Sequence, residues 1–227
     1  MFDLKTEQQE TYKTYRVKFR ITRSLSSYTE PDDYICKIAG EIICSDAAGS
    51  DSVAGTVEAY VIQVNRIIND GESLFQACDA HSQTVHDYGC VLFDFRSGGL
   101  KPAIEGQFGV VGTSDILILD KIEVLPAHRG HGVGLAAACS FLDTFETGCC
   151  LAVGEPYPMQ FKEMTPEHAE WCKKMGVDAF VAGEKRASAK LRAYWSRLGF
   201  KQIRGSKKFA LSLQHRRPTL KELVPEL

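Results

Sequence analysis

The chain has 227 residues, 44% of them hydrophobic and 25% charged, with a net charge of −2 at pH 7. Such a length and composition suit one folded domain with a sizeable core and exclude intrinsic disorder as the default. The near-neutral balance argues against a general nucleic-acid binder, and no stretch approaches the roughly 18 apolar residues of a membrane helix.

The N-terminal MFDLKTEQQETYKTYRVK is polar from the start and lacks the apolar stretch of a signal peptide, which places the expected protein in the cytoplasm. Residues 15–24 (YRVKFRITRS) alternate as a strand does. YICKIAGEIIC (34–44) and VAGTVEAYVIQV (53–64) are two more, and the turn-rich SDAAGSDS between them predicts a hairpin with a longer loop. The period then changes. Over 72–88, Leu74, Ala77, Cys78, His81, Val85 and Tyr88 fall on one face of a single predicted helix. Residues 97–113 are Gly-rich and read as irregular. DILILDKIEVL (115–125) reads as a buried strand rich in β-branched residues, closed by Pro126.

A helix is expected from near Gly130 to about Thr147, with Leu135, Cys139, Leu142 and Phe145 facing inward. CCLAVG (149–154) is a further apolar strand, closed by Glu155-Pro156-Tyr157-Pro158. Thr165-Pro166 has the form of an N-cap with proline at the first helical position, and Gly176 marks that helix's end. Residues 184–198 make an amphipathic helix with Ala187, Leu191, Tyr194, Trp195 and Leu198 on one face, ended by Gly199. FKQIR and FALSL close the chain as an antiparallel pair. This order of elements indicates an α+β or mixed-sheet α/β fold.

Eight cysteines at 36, 44, 78, 90, 139, 149, 150 and 172 form no CxxC pair and no zinc-finger spacing. Most are expected to be small buried thiols, with no metal bound. From Lys185 to Arg217 there are eleven Lys or Arg and no Asp or Glu. Such a run is either a solvated face or a positive surface for an anionic cofactor or partner.

Arg129-Gly130-His131-Gly132-Val133-Gly134 follows a strand and opens a helix. Glycines let backbone approach a ligand closely, and the first N–H groups of a helix have no helical partner and favour anions. The combination suits a pyrophosphate, with Arg129 able to add a charge-assisted hydrogen bond. A Rossmann fingerprint or a P-loop would need a different order of residues.

VLPAHRGHGVG resembles the acetyl-CoA-binding motif of the GNAT superfamily of N-acetyltransferases, with Arg129, Gly132 and Gly134 matching in place. YWSRLGF (194–200) resembles that family's second signature. The resemblance covers about residues 114–213 of what reads as a single domain over 1–227, the region 1–113 being divergent. It implies a mixed, mostly antiparallel sheet flanked by helices, with strands splayed where acetyl-CoA inserts. By position, the backbone N–H of Ile122 would face the thioester carbonyl and that of Val124 the pantetheine amide. The N–H groups of Gly130, His131, Gly132, Val133 and Gly134 would hold the pyrophosphate, and Ser188 would bond pantetheine.

The resemblance further implies direct attack by a primary amine, with a base to accept its proton. Asp120, on the strand face of Ile122, is the first candidate, and Glu155, ending the next strand, the second. The family's usual proton-donating tyrosine is replaced by Trp195, whose indole has no usable acidic proton. Tyr194 is the neighbouring candidate, about a hundred degrees around the helix. In the N-terminal half three strands precede the helix at 72–88, where the family usually places two helices after its first strand. The 156–183 insert would shape the acceptor pocket, pack, or serve a homodimer contact. The expected activity is acetyl transfer from acetyl-CoA to a small-molecule amine, a protein amine or an aminoacyl-tRNA. The competing reading is a CoA-binding sensor without chemistry; binding of nucleic acid through 185–217 is a remote third.

Overall fold

The structure is a computed structural model that describes residues 13–23, 25, 28–112, 114–180 and 182–225. Three strands come first: β1 (Thr14–Ile21), β2 (Ile35–Ser45) and β3 (Asp51–Ile62), paired antiparallel in chain order. The expected hairpin between β2 and β3 is present. Its loop is held by Asp46, whose carboxylate accepts from the N–H groups of Ala48 and Ser50. Among the described residues three strands therefore precede the first α-helix, with a turn of 3₁₀ helix (Pro31–Tyr34) between β1 and β2.

The single helix expected over 72–88 is divided. After α1 (Val64–Asp70) come α2 (Leu74–His81) and α3 (Gln83–Leu92), separated by Ser82 in extended backbone, φ −172° and ψ 155°. Ser82 caps α3 by accepting from the Val85 N–H at 3.3 Å. A serine that offers its hydroxyl to the backbone competes with helix continuation and starts a new one. The apolar period survives the break: Leu74, Ala77, Cys78, Val85 and Tyr88 are all buried. Ser82→Ala should cost about 1 kcal/mol and lower the melting temperature by about 2–4 °C. An unchanged melting curve would show that the cap contributes nothing.

Residues 97–113, expected to be irregular, contain regular structure. A short hairpin, β4 (Phe93–Asp94) and β5 (Gly99–Leu100), leads into α4 (Pro102–Phe108). Pro102 occupies the first helical turn, where its missing N–H costs nothing, and Ile104 and Phe108, one turn apart, are buried. The remaining elements are β6 (Asp115–Val124), α5 (Val133–Phe145), β7 (Cys149–Gly154), α6 (Pro166–Lys174), α7 (Glu184–Arg197), β8 (Lys201–Gln202), β9 (Phe209–Ser212) and α8 (Leu220–Leu223).

The main sheet has seven strands in the order β1-β2-β3-β6-β7-β9-β8, with β6 and β7 parallel and every other pair antiparallel. One face buries Ile62, Ile116, Ile118 and Val153 against α1 to α4. The other buries Ile42, Val57, Leu117 and Ala152 against α5 and the Trp195–Phe200 end of α7. Alternate residues of β6 thus enter different cores, which is why its sequence reads as a continuous apolar run. The architecture is mixed α/β, with a mostly antiparallel sheet flanked by helices.

All eight cysteines are free, and burial pushes the thiols of Cys78 and Cys149 up to about 12. Dithiothreitol should therefore leave the melting temperature unchanged; a fall would reveal a stabilising disulfide. Among the described residues no group of three or more His, Cys, Asp or Glu side chains could hold a metal ion, and no helix is long and apolar enough to cross a membrane.

Candidate active site at the splay of two strands

β6 pairs with β7 only from Asp115 to Ile118, the last partners being Ile118 and Val153. β6 then continues to Val124 with that edge open, and a cleft of about 1270 Å³ begins there. Successive N–H groups along a strand face opposite edges. Leu125 donates to the Ala54 carbonyl on β3 at 2.8 Å, so the N–H groups of Ile122 and Val124 face the other way, into the cleft. The Val124 carbonyl, on the same edge, accepts from Arg129 Nε at 2.8 Å. The splay and the two free donors thus follow from where pairing stops.

At the apex of the splay stands Gly154, the last residue of β7. A Cβ there would collide with the Trp195 ring and lie 2.8 Å from the Leu119 carbonyl oxygen. Trp195, 8% exposed, fills the angle between the strands and stacks edge-on against Phe200. Only glycine admits the indole so close to the backbone.

Past β6 a turn of 3₁₀ helix (Pro126–His128) leads into the glycine loop. Gly130 and Gly132 have φ of 86° and 74°, left-handed backbone that explains glycine at both positions. Gly132 is the N-cap of α5, whose first turn lines the cleft through Val133 and Gly134. Arg129 is used differently from the expectation. Its guanidinium donates to the Val124 and Met175 carbonyls and lies 4.9 Å from the Phe180 ring centre. It ties the 156–183 insert to the end of β6, so the loop's anion donors are chiefly backbone N–H groups. His131 is exposed and its side chain lies outside the cleft lining.

Asp120 sits at a bulge: Glu58 of β3 pairs with Lys121 and Ala59 with Leu119, leaving Asp120 as the extra residue. Its side chain is 17% exposed and, among the described residues, forms an ion pair with Lys121 Nζ at 3.7 Å. Lys121 is shared with Glu58, at 3.4 Å. Burial raises the Asp120 pKa from its ordinary value, with Lys121 opposing the rise and Glu58 adding to it. Glu58 is the contrasting case. Burial would raise it, but hydrogen bonds with Tyr60 and Lys37 and the charge of Lys121 outweigh burial and hold its carboxyl at about 2. Glu155 also lines the cleft, but Lys208 Nζ binds it at 3.0 Å. Of the two expected bases, Asp120 is the one left without a dedicated cation.

Tyr194 lies at the loop end of the cleft. A Cβ on Gly134 would sit 2.6 Å from its hydroxyl oxygen, and burial pushes its phenol up to about 12. Ser188, expected to bond pantetheine, is half-buried outside the cleft lining; the positions of α7 that line the cleft are Arg186, Ala187, Lys190, Leu191, Tyr194, Trp195 and Arg197. Arg186 and Lys190, one turn apart, and Arg197 add positive charge to the cleft lining. Within the basic run the charge is thus divided: Arg217 is consumed by Asp143 and Glu146, whereas these three line the cleft.

The insert roofs the cleft with Tyr157, Met159, Trp171, Met175 and Phe180. Trp171 Nε1 donates to Glu123 at 2.6 Å, the second tie of this segment to β6 after Arg129. Three features of the site escaped the sequence reading: Tyr88 in the cleft, the Lys208–Glu155 pair and the engagement of Arg129. The Lys208–Glu155 and Arg129–Met175 contacts join residues more than 40 positions apart. The Arg186–Lys190 spacing was the one signal available in advance.

A scan against protein-family models, a search of curated proteins and a search of solved structures each return no match.

Proposed function

We propose that the chain is an N-acetyltransferase that moves an acetyl group from acetyl-CoA to a primary amine. The observation that carries this reading is the pair of Ile122 and Val124 N–H groups facing a cleft between splayed strands, with a glycine loop and helix start at one end. Bound acetyl-CoA would supply the activated acyl carbon. The residues present suit it. Ile122 offers a backbone donor where an oxyanion develops, and such donors in a site shielded from water are worth several kcal/mol. Val124 offers a second donor along the same edge. The N–H groups at Gly130 to Gly134, with Arg186, Lys190 and Arg197 in the same cleft lining, suit the phosphates.

Asp120 accepts the proton of the attacking amine. Its raised pKa brings it closer to neutrality, which is the direction that favours a base working near pH 7. The rate should rise with pH as Asp120 ionises, with its acid limb displaced upward from the ordinary carboxylate value. A CoA-binding module without chemistry is the second reading, favoured by Trp195 at the place of the family's tyrosine. Calorimetric titration with CoA tests what the two readings share: saturable binding supports both, and its absence removes both. Amine-dependent release of thiol then separates them.

A further inference from the structure

The segment that follows β9 runs the length of α5 and ends at the glycine loop. Arg217, its side chain 13% exposed, grips the far end of that helix, pairing with Asp143 and with Glu146 at 2.9 Å. Pro218 passes over Gly199 at the end of α7, 3.4 Å from where a Cβ there would stand. α8 follows, its start fixed by a reciprocal cap. Thr219 Oγ1 accepts from the Glu222 N–H, and the Glu222 carboxylate accepts from the Thr219 N–H. Arg216 adds an ion pair to Glu222 at 2.6 Å. The Leu223 carbonyl then accepts from Arg197 at 2.9 Å, and the Val224 side chain occupies the space where a Cβ on Gly132 would stand. Gly132 and Arg197 both line the cleft, whereas Glu222 and Val224 lie outside its lining.

Gly132, the N-cap of α5, has no side chain to hold it at φ of 74°, and glycine has the most backbone freedom to lose. Val224 supplies from outside the cleft the restraint that a side chain would otherwise give. Resting on the acetyl-transfer reading above, we propose that residues 217–224 form a strap that holds the glycine loop in its anion-binding shape, with Val224 and Glu222 as positioning residues for the diphosphate of CoA. Val224 acts by contact with Gly132. Glu222 acts through α8, whose cap it completes. A loop already held in the bound shape does not have to be ordered by the ligand, so the strap raises affinity without touching CoA. Its tie to Arg197 holds one of the cleft's cations in the same way.

The test uses Val224→Ala, which removes the two methyl groups against Gly132, and Glu222→Ala, which breaks the α8 cap outside the loop. The first readout needs no CoA. Ala136 donates to the Gly132 carbonyl at 3.0 Å, the first hydrogen bond of α5. Hydrogen exchange at the Ala136 amide should quicken about tenfold in Val224→Ala, and in the same direction in Glu222→Ala. The Glu146 amide at the other end of α5, bonded to the Leu142 carbonyl at 2.9 Å, should keep its rate. CoA affinity by calorimetry should fall about five- to tenfold, and the KM for acetyl-CoA should rise with it while kcat changes less than about twofold. A strap that served stability alone would lower the melting temperature without this split. Should Val224→Ala fold poorly, Glu222→Ala carries the same comparison. Unchanged Ala136 exchange in both variants, or unchanged CoA affinity in a variant whose Ala136 exchange has quickened, would overturn the assignment. A wild-type protein that binds no CoA would instead sink the acetyl-transfer reading, and Ala136 exchange would still decide whether the strap holds the loop.

Discussion

Asp120→Asn should lower kcat by about 10²–10⁴-fold while leaving CoA affinity unchanged. The amide keeps the shape at the β6 bulge and removes the proton acceptor. Stability should move the other way. Burial raises the Asp120 pKa, so ionising it in the fold costs free energy that grows as pH rises through the raised value. The neutral amide escapes that cost, and Lys121 keeps Glu58 as its partner at 3.4 Å. The variant should therefore melt at or above the wild-type temperature at neutral pH. The rate loss should shrink at high pH, where more of the acceptor amine is already neutral. Wild-type turnover in Asp120→Asn would reduce Asp120 to a structural carboxylate. Glu155 would then be the next base to test, despite its lysine.

Gly132→Val should abolish detectable CoA binding. Gly132 has φ of 74°, where an L-residue costs roughly 1–2 kcal/mol and a β-branched one more, and a Cβ there would collide with the Val224 side chain. The α5 N-cap must then shift, and the N–H groups of the loop shift with it. Some stability is lost too, so a control is needed. Gly205, in the turn between β8 and β9, has φ of 73° with open space around its Cβ position. Gly205→Val carries a similar backbone strain outside the cleft lining and should keep CoA affinity. Equal losses in both variants would show that the loop assignment rests on general destabilisation.

What was legible in the sequence was mostly local. Alternation in β1 to β3, the apolar run of β6 and the spacing in α5 and α7 each reflect a face that must be buried, and such patterns are written within a dozen residues. The Thr165-Pro166 start of α6 was legible for the same reason, since cap chemistry involves only the next turn. Two misreadings were also local. The apolar period continues across Ser82 although the helix does not, because both short helices lie on one core. α4 is only seven residues long, too short for periodicity to outweigh Gly106 within it and the glycines around it.

The site was legible where it depends on strand parity and loop glycines, as at Ile122, Val124 and Gly132. It was not legible where side chains choose partners across the fold. Nothing near Arg129 announces that its guanidinium will bind the Met175 carbonyl, and nothing near Glu155 announces Lys208. Tyr88 read as one more core residue of a helix face.

The most direct measurement of the central claim is thiol release from acetyl-CoA by the wild-type protein, followed against a panel of primary amines. The expected result is amine-dependent, saturable release of CoA thiol, matched by one acetyl group gained on the amine for each thiol freed. Failure of every amine tested to stimulate release, in a protein that shows no CoA binding by calorimetry, would contradict it.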